Sequence, residues 1–322
     1  MSFSNDLTMI IPTHERALYL KRILEYYKDI SIKIIIVDSS HKAYADVIKN
    51  SNMNYIHCPE LSYPEKLIKA INSVKTEFIT ICADDDFIVK RALGNCVNFL
   101  KQNPSYELVQ GYILNFTNIN GQIRLNLMYE HTYKYEVASD KSVDRIKSYY
   151  NSFVQTAYVV RRKETYLRSL DAIVRFDVQG KLMDQTVSLY SVIQGKMKVL
   201  PIFFGVREYL PNSASSSWNP LEDLHQDKLL MRPFYDACAE FLSEKTHKSI
   251  DESRKIIIKI YGTWIKNREK SIGKKNRAIL IFRNKMNGIS LRLPFNRLNK
   301  FGIRFEIITG ELRWLNEEDN SD

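Results

Sequence analysis

The sequence predicts an α/β protein: a doubly wound, mostly parallel sheet with helices on both faces, plus a mainly helical, basic C-terminal extension. Two observations carry this prediction. Short apolar runs alternate with helix-spaced segments of about ten residues through the first hundred positions, as parallel βαβ units require. Several of those runs also end abruptly in aspartate or threonine, so polar groups collect where strands finish. In open α/β sheets that edge is where ligands bind.

The elements follow in order. Leu7 to Ile11 reads as a strand ending at Pro12-Thr13, and Arg16 to Lys28 as a helix through Leu20, Ile23, Leu24 and Tyr27. Ile32 to Val37 is a strand ending at Asp38, Tyr44 to Ser51 a short helix and Tyr55 to His57 a short strand. Pro64 to Val74 has proline at its start and Glu65 in its first turn, as helices prefer. Phe78 to Ala83 is a buried strand, and Val89 to Gln102 a helix closed by Asn103-Pro104. Leu108 to Phe116 and Ile123 to Met128 read as a hairpin turning at Asn120-Gly121. A helix over Ser142 to Tyr150, a strand over Phe153 to Val160, a helix over Lys181 to Gln194 and a short strand at Lys198 to Leu200 come next. Pro211 to Pro220, rich in Ser, Asn and Pro, marks the expected boundary between a domain over 1–215 and a helical, basic region over 216–322. Asp223 to Thr246 and Asp251 to Glu269 read as helices within the latter.

Composition narrows the function. At 322 residues, 44% hydrophobic and 26% charged, the chain is an ordinary globular protein with a sizeable core. Neither a signal peptide nor an apolar run long enough to span a bilayer is evident, and the four cysteines lack metal or disulfide spacing. A cytoplasmic protein is expected, with Cys82 and Cys96 in the core. The histidines show no zinc spacing, and no Gly-rich phosphate loop occurs. The net charge of +10 is uneven: residues 253–304 hold 15 Lys and Arg against one acid, Glu269, so the rest of the chain is mildly acidic. This segment either meets an anionic surface or is a solvated helical face.

Asp84, Asp85 and Asp86 directly follow the strand over 78–83. Three adjacent carboxylates repel one another unless a cation sits among them, and oxygen ligands suit Mg2+ or Mn2+. A solvated acidic turn or helix start is the alternative. Asp38 either recognises a ligand or caps the turn after its strand. Asp184, after Leu182-Met183 and opening a helix, could serve as a base; burial would raise its pKa while the helix dipole opposes this.

Taken in order, Ile10-Ile11-Pro12-Thr13-His14-Glu15-Arg16, Val37-Asp38-Ser39-Ser40, the aspartate triplet with Ala92-Leu93, and Asp184 ahead of Leu189, Gly195-Lys196 and Pro201 resemble the family 2 glycosyltransferases of GT-A fold. The resemblance covers about residues 7–210. It implies a nucleotide-sugar donor, with Pro12, Thr13 and Arg16 in the first nucleotide loop and Asp38 on the base. It implies Asp84 and Asp85 beside the ribose or metal, Asp86 as direct ligand of Mn2+ or Mg2+ with Asp84, Arg207 over the diphosphate, and Asp184 as catalytic base. Arg16 would be as ordinary at a surface helix start. The sequence departs from the pattern at Met183 (usually Glu), at Ser39 (usually a second acid) and at Tyr209 (often His). The usual Ala-Arg-Asn segment is replaced by Tyr63-Pro64-Glu65-Lys66-Leu67, where Lys66 could take the arginine's place against donor phosphates. These features resemble a divergent branch found in bacterial surface-polysaccharide synthesis. The implied acceptor is a glycan or lipid-linked glycan, with residues 253–304 docking peripherally on the anionic inner membrane face. A nucleotidyltransferase and a protein binding nucleic acid through its basic segment are the competing readings. Nucleic acid is disfavoured by the acidic cluster.

Overall fold

The computed structural model describes residues 5–44, 52–119, 122–129, 134–208, 221 and 225–283; for 117–119, 122–126 and 271–283 it describes the backbone alone. The first half of the sheet is parallel. β1 (Leu7–Thr13) lies between β2 (Lys33–Asp38) and β4 (Phe78–Ile81), and β3 (Met53–His57) extends the sheet beyond β2. Every residue of β1 and β4 is buried, the pattern of strands covered on both faces. The register Thr13 beside Asp38, with Ile10 beside Ile81, brings the polar ends of three strands to one edge.

Helices cover the sheet through amphipathic faces. α1 (Ala17–Tyr26) buries Leu20, Ile23 and Leu24. α2 (Tyr63–Asn72) starts with a Ser62–Glu65 capping box and proline in its first turn, satisfying backbone N–H groups that would otherwise lack partners. α3 (Lys90–Gln102) buries Leu93, Cys96, Val97 and Leu100 after the two-residue strand β5 (Phe87–Ile88).

The second half of the sheet is mixed. β6 (Tyr106–Ile119) pairs in parallel with β10 (Lys196–Glu208) and antiparallel with β7 (Gln122–Leu127). β8 (Glu136–Val137) and β5 flank β10, both antiparallel. Between β4 and β6 sits β9 (Val160–Arg162), antiparallel to both, giving the path β3-β2-β1-β4-β9-β6-β10-β5. β6 and β10 slip register around Val199 and Phe203, where Pro201 lies. Proline within a sheet is confined to edges and irregularities. A Cβ at Gly111 would stand 2.3 Å from the Ile202 carbonyl oxygen, so only glycine admits this close strand approach.

Two expectations need correction here. The strand expected over Phe153 to Val160 is instead a loop followed by β9, and a helix the sequence reading missed, α5 (Lys163–Phe176), comes next. The short strand expected at Lys198 to Leu200 is the start of the long β10. α4 (Ser142–Asn151) and α6 (Lys181–Gln194) agree with expectation. The helix expected over 44–51, the 120–121 turn and the 211–220 boundary lie outside the described residues, as does much of the basic segment.

The C-terminal helices α7 (Lys228–Thr246) and α8 (Ile250–Arg283) pack on α4 to α6. Phe241 of α7 stacks on Tyr190 of α6 at 4.2 Å between centroids, and Trp264 of α8 packs on Tyr150 of α4 at 4.8 Å. All four cysteines are buried and unbridged.

Candidate active site

The ends of β1, β2 and β4 hold one continuous polar network. Thr13 Oγ1 donates to Asp84 Oδ2 at 2.6 Å. Arg16, just past β1, reaches both Asp84 (2.9 Å) and Asp85 (2.7 Å) and lies over the Tyr19 ring. Asp86 turns the other way: its Oδ1 accepts the Glu208 backbone N–H at 2.8 Å, and Arg207 Nε stands 3.4 Å from its Oδ2. Arg22 closes the loop, paired with Glu208 at 2.5 Å and donating to the Asp85 carbonyl oxygen at 3.2 Å. All three aspartates are buried, so the repulsion expected among them is met by guanidinium charge from two sides. Burial pushes Asp84 up to about 6, against the Thr13 hydrogen bond and the Arg16 charge. Burial likewise raises Asp86, reinforced by the Asp85 charge.

Asp38 is buried at the end of β2. Its Oδ1 accepts from the backbone N–H and hydroxyl of Ser40, and its Oδ2 from the Tyr55 hydroxyl at 2.6 Å. Burial, with Asp38 next to it, raises Tyr55 to about 12. Lys66 is buried too, but its Nζ donates to the Thr13 carbonyl oxygen (2.8 Å) and Ser39 Oγ (3.0 Å). It ties β1 to the turn after β2, and burial lowers its pKa.

Beside this network opens a cleft of about 470 Å³ whose wall includes Pro12, Ala83, Tyr158, Arg161, Asp184 and Arg207. Asp184 sits in the first turn of α6 behind Gly180, whose φ of 57° is accessible to glycine. Burial raises it to about 6, while Arg207 and then Arg161 pull the other way. Arg207 is thus the link between the two acidic centres: it pairs with Asp86, donates to Gln155 Oε1 at 3.0 Å, lies over the Tyr158 ring and lines the cleft with Asp184.

Of the expected residues, Pro12, Asp184 and Arg207 share the cleft wall, and Thr13, Arg16, Asp84 and Asp85 form the network at its back. Asp38 lies at the end of the neighbouring strand β2, and Lys66 reaches the turn after it from α2. Sequence reasoning missed Arg161, 2% exposed, which donates to the Thr156 carbonyl oxygen while its Nη1 has no hydrogen-bond partner. It also missed Arg22, Glu208 and the Tyr55–Asp38 bond. Arg161 and Arg162 as consecutive charges at a strand end were the signal, and alternation would have put one of them inward.

The acids are the oxygen donors a hard divalent cation takes, and Mg2+ is commonly held by one or two carboxylates plus substrate phosphates. No set of three acid, His or Cys side chains converges among the described residues, so Asp86 and Asp84 fit such an ion only as a partial set.

Buried acids at the ends of parallel strands, beside an open cleft, are set here in a mixed α/β fold of GT-A type. Residues 8–166 match the family model described as glycosyl transferase family 2, and the chain carries a family 2-like glycosyltransferase domain. It is similar in fold to S. aureus TarS 1-349 in complex with UDP-GlcNAc: 14% identity over 80% of this chain and 71% of that one, TM-score 0.52. The same fragment in complex with UDP matches at 13% identity, 80% and 70% coverage and TM-score 0.48. No curated protein matches the chain significantly.

Proposed function

We propose that the chain moves a sugar from a nucleotide-sugar donor to a hydroxyl of a glycan or lipid-linked glycan, with inversion, in bacterial surface-polysaccharide synthesis. The observation that carries this reading is that Asp184 and the Asp86-paired Arg207 line one cleft. The acceptor oxygen attacks the anomeric carbon, the bond to the diphosphate breaks, and the hydroxyl proton passes to Asp184. Asp38 faces the nucleoside base, with Tyr55 and Ser40 fixing its carboxylate. Arg16 and Arg207 offer planar donor forks to the diphosphate oxygens. Mn2+ or Mg2+ at Asp86 and Asp84 would neutralise charge on the departing diphosphate. Thr13 and Arg16 hold Asp84 in place for that role.

The described residues include no helix long and apolar enough to cross a membrane. We place the enzyme in the cytoplasm, with residues 253–304 attracted to anionic lipid on the inner face. Sedimentation with anionic liposomes at low salt and release at high salt checks this.

The function is tested by incubating the purified chain with UDP-, GDP- and CMP-sugars, with Mn2+, Mg2+ or chelator, and following nucleotide release. Release from one donor that chelator abolishes supports the reading. Pyrophosphate release from a nucleoside triphosphate, without turnover of any sugar nucleotide, refutes it in favour of nucleotidyl transfer.

A further inference from the structure

A second, larger cleft of about 850 Å³ lies between α4 and α8. Its wall from α8 repeats every three or four residues (Ile256, Lys259 and Ile260, Thr263 and Trp264, Asn267 and Arg268), so one helix face is presented. Phe153 and Arg268 line this cleft and the catalytic one alike, so the two adjoin. Its floor is aromatic: Trp264 lies 4.8 Å from Tyr150 and 5.0 Å from Phe153 between centroids. Its described lining holds Lys147, Lys259 and Arg268 but no aspartate or glutamate. Amide and hydroxyl groups from Asn151, Ser152, Thr263 and Asn267 complete it.

We propose that this cleft is the acceptor subsite and that it takes an anionic saccharide, a glycan chain bearing phosphate or carboxylate groups. The inference rests on the glycosyltransferase reading and adds the chemical class of its acceptor. Three features meet there. Aromatic faces and amide or hydroxyl donors suit the apolar faces and hydroxyls of sugar rings. Lys259 and Arg268, with no acid in the lining, favour a negatively charged occupant, while Lys147 is shared with Asp144 at 3.1 Å just outside it. Continuity through Phe153 and Arg268 leads a bound chain's end toward Asp184. Seven of the thirteen lining residues are on α8, beyond residues 8–166, so acceptor choice is carried partly outside the matched family region.

The test uses the full-length chain and reads two signals side by side: thermal stabilisation by UDP, GDP and CMP, and tryptophan fluorescence on titration with oligosaccharides. The probes are oligogalacturonate and phosphorylated maltooligosaccharide, with dextran oligomers of equal length as the neutral control. At least one anionic probe is expected to bind about tenfold tighter than dextran, a gap of about 1.4 kcal/mol. Lys259→Glu, at an exposed position, should erase that gap, and Trp264→Phe should remove the fluorescence response. Equal binding of dextran and both anionic probes overturns the proposal, as does binding unchanged in Lys259→Glu. Inorganic polyphosphate binding the wild type as tightly as the saccharides overturns it too, since charge alone would then explain the site. Nucleotide stabilisation without saccharide preference sinks the subsite and leaves the glycosyltransferase reading standing. Saccharide preference without nucleotide stabilisation sinks the glycosyltransferase reading and, with it, the assignment as an acceptor subsite, leaving only an anionic-saccharide site.

Discussion

Replacing Asp184 by asparagine separates a catalytic carboxylate from a structural one, because the two roles move stability in opposite directions. Burial lifts the Asp184 pKa from an ordinary 3.8 to about 6, even though Arg207 and Arg161 lie near enough to lower it. A rise of about 2 units means the ionised form costs the folded protein up to about 3 kcal/mol, less whatever the water in the cleft screens. The sign follows from linkage: an acid with a raised folded pKa weakens the fold above that pKa and ceases to do so below its unfolded value. A neutral amide in place of the carboxylate removes that cost, so Asp184→Asn should melt at least about 2 °C higher at pH 7.5 and gain less at pH 5. Without a proton acceptor, kcat should fall about 100- to 10,000-fold while the donor KM stays close to wild type. Wild-type kcat should itself decline roughly tenfold per pH unit below about 6. The assay is nucleotide release against pH, paired with calorimetry at both pH values. Full kcat in the variant would refute the base assignment, and a lower melting temperature with wild-type pH behaviour would refute the burial argument.

Three further outcomes follow from the same geometry. Glu107 is 3% exposed, with Oε1 lacking a partner, and burial raises it to about 7; Glu107→Gln should therefore stabilise the protein at pH 8 by up to about 3 kcal/mol and by much less at pH 5, read from urea midpoints. Asp38→Asn keeps an acceptor for Ser40 but loses one for Tyr55, and should raise donor KM about tenfold with little change in kcat. Gly111→Ala places a methyl 2.3 Å from the Ile202 carbonyl oxygen and 2.8 Å from its Cγ1, and should lower stability by about 2 kcal/mol or more in the same denaturation.

The first half of the sheet was legible because its signals are local. A mostly apolar run ending in Thr13, Asp38 or Asp84 fixes strand, end and polarity together, and the candidate site's position follows from the sheet edge. β9 and α5 were not legible for a local reason as well: Arg161-Arg162-Lys163-Glu164 is a charged run that reads as surface. Tertiary context overrides it by burying Arg161 against Thr156 and Tyr166, a 4.7 Å cation–ring contact. β10 was cut short at Pro201, which ends most strands but here sits in a register slip. The bonds from Asp86 to Arg207 and Glu208 span more than 120 residues, and no spacing rule reaches that far.

That long-range closure explains how three adjacent aspartates can be buried in a protein at all. Asp84 and Asp85 are matched by Arg16 at the end of β1, and Asp86 by Arg207 at the end of β10, so the triplet is divided between the two halves of the sheet. Arg22 links those halves again, through Glu208 on one side and the Asp85 carbonyl on the other. Removing Arg16 or Arg207 leaves a buried carboxylate uncompensated, which costs more than the pair contributes when intact. On the proposed function, an anionic diphosphate arriving at this edge would meet the same Arg16 and Arg207 that hold the aspartates. Donor binding would then be coupled to the charge state of the triplet through both arginines, of which Arg207 lines the cleft containing Asp184. Because Arg207 acts on Asp86 and Asp184 together, a change at one acidic centre is felt at the other without any movement of the backbone.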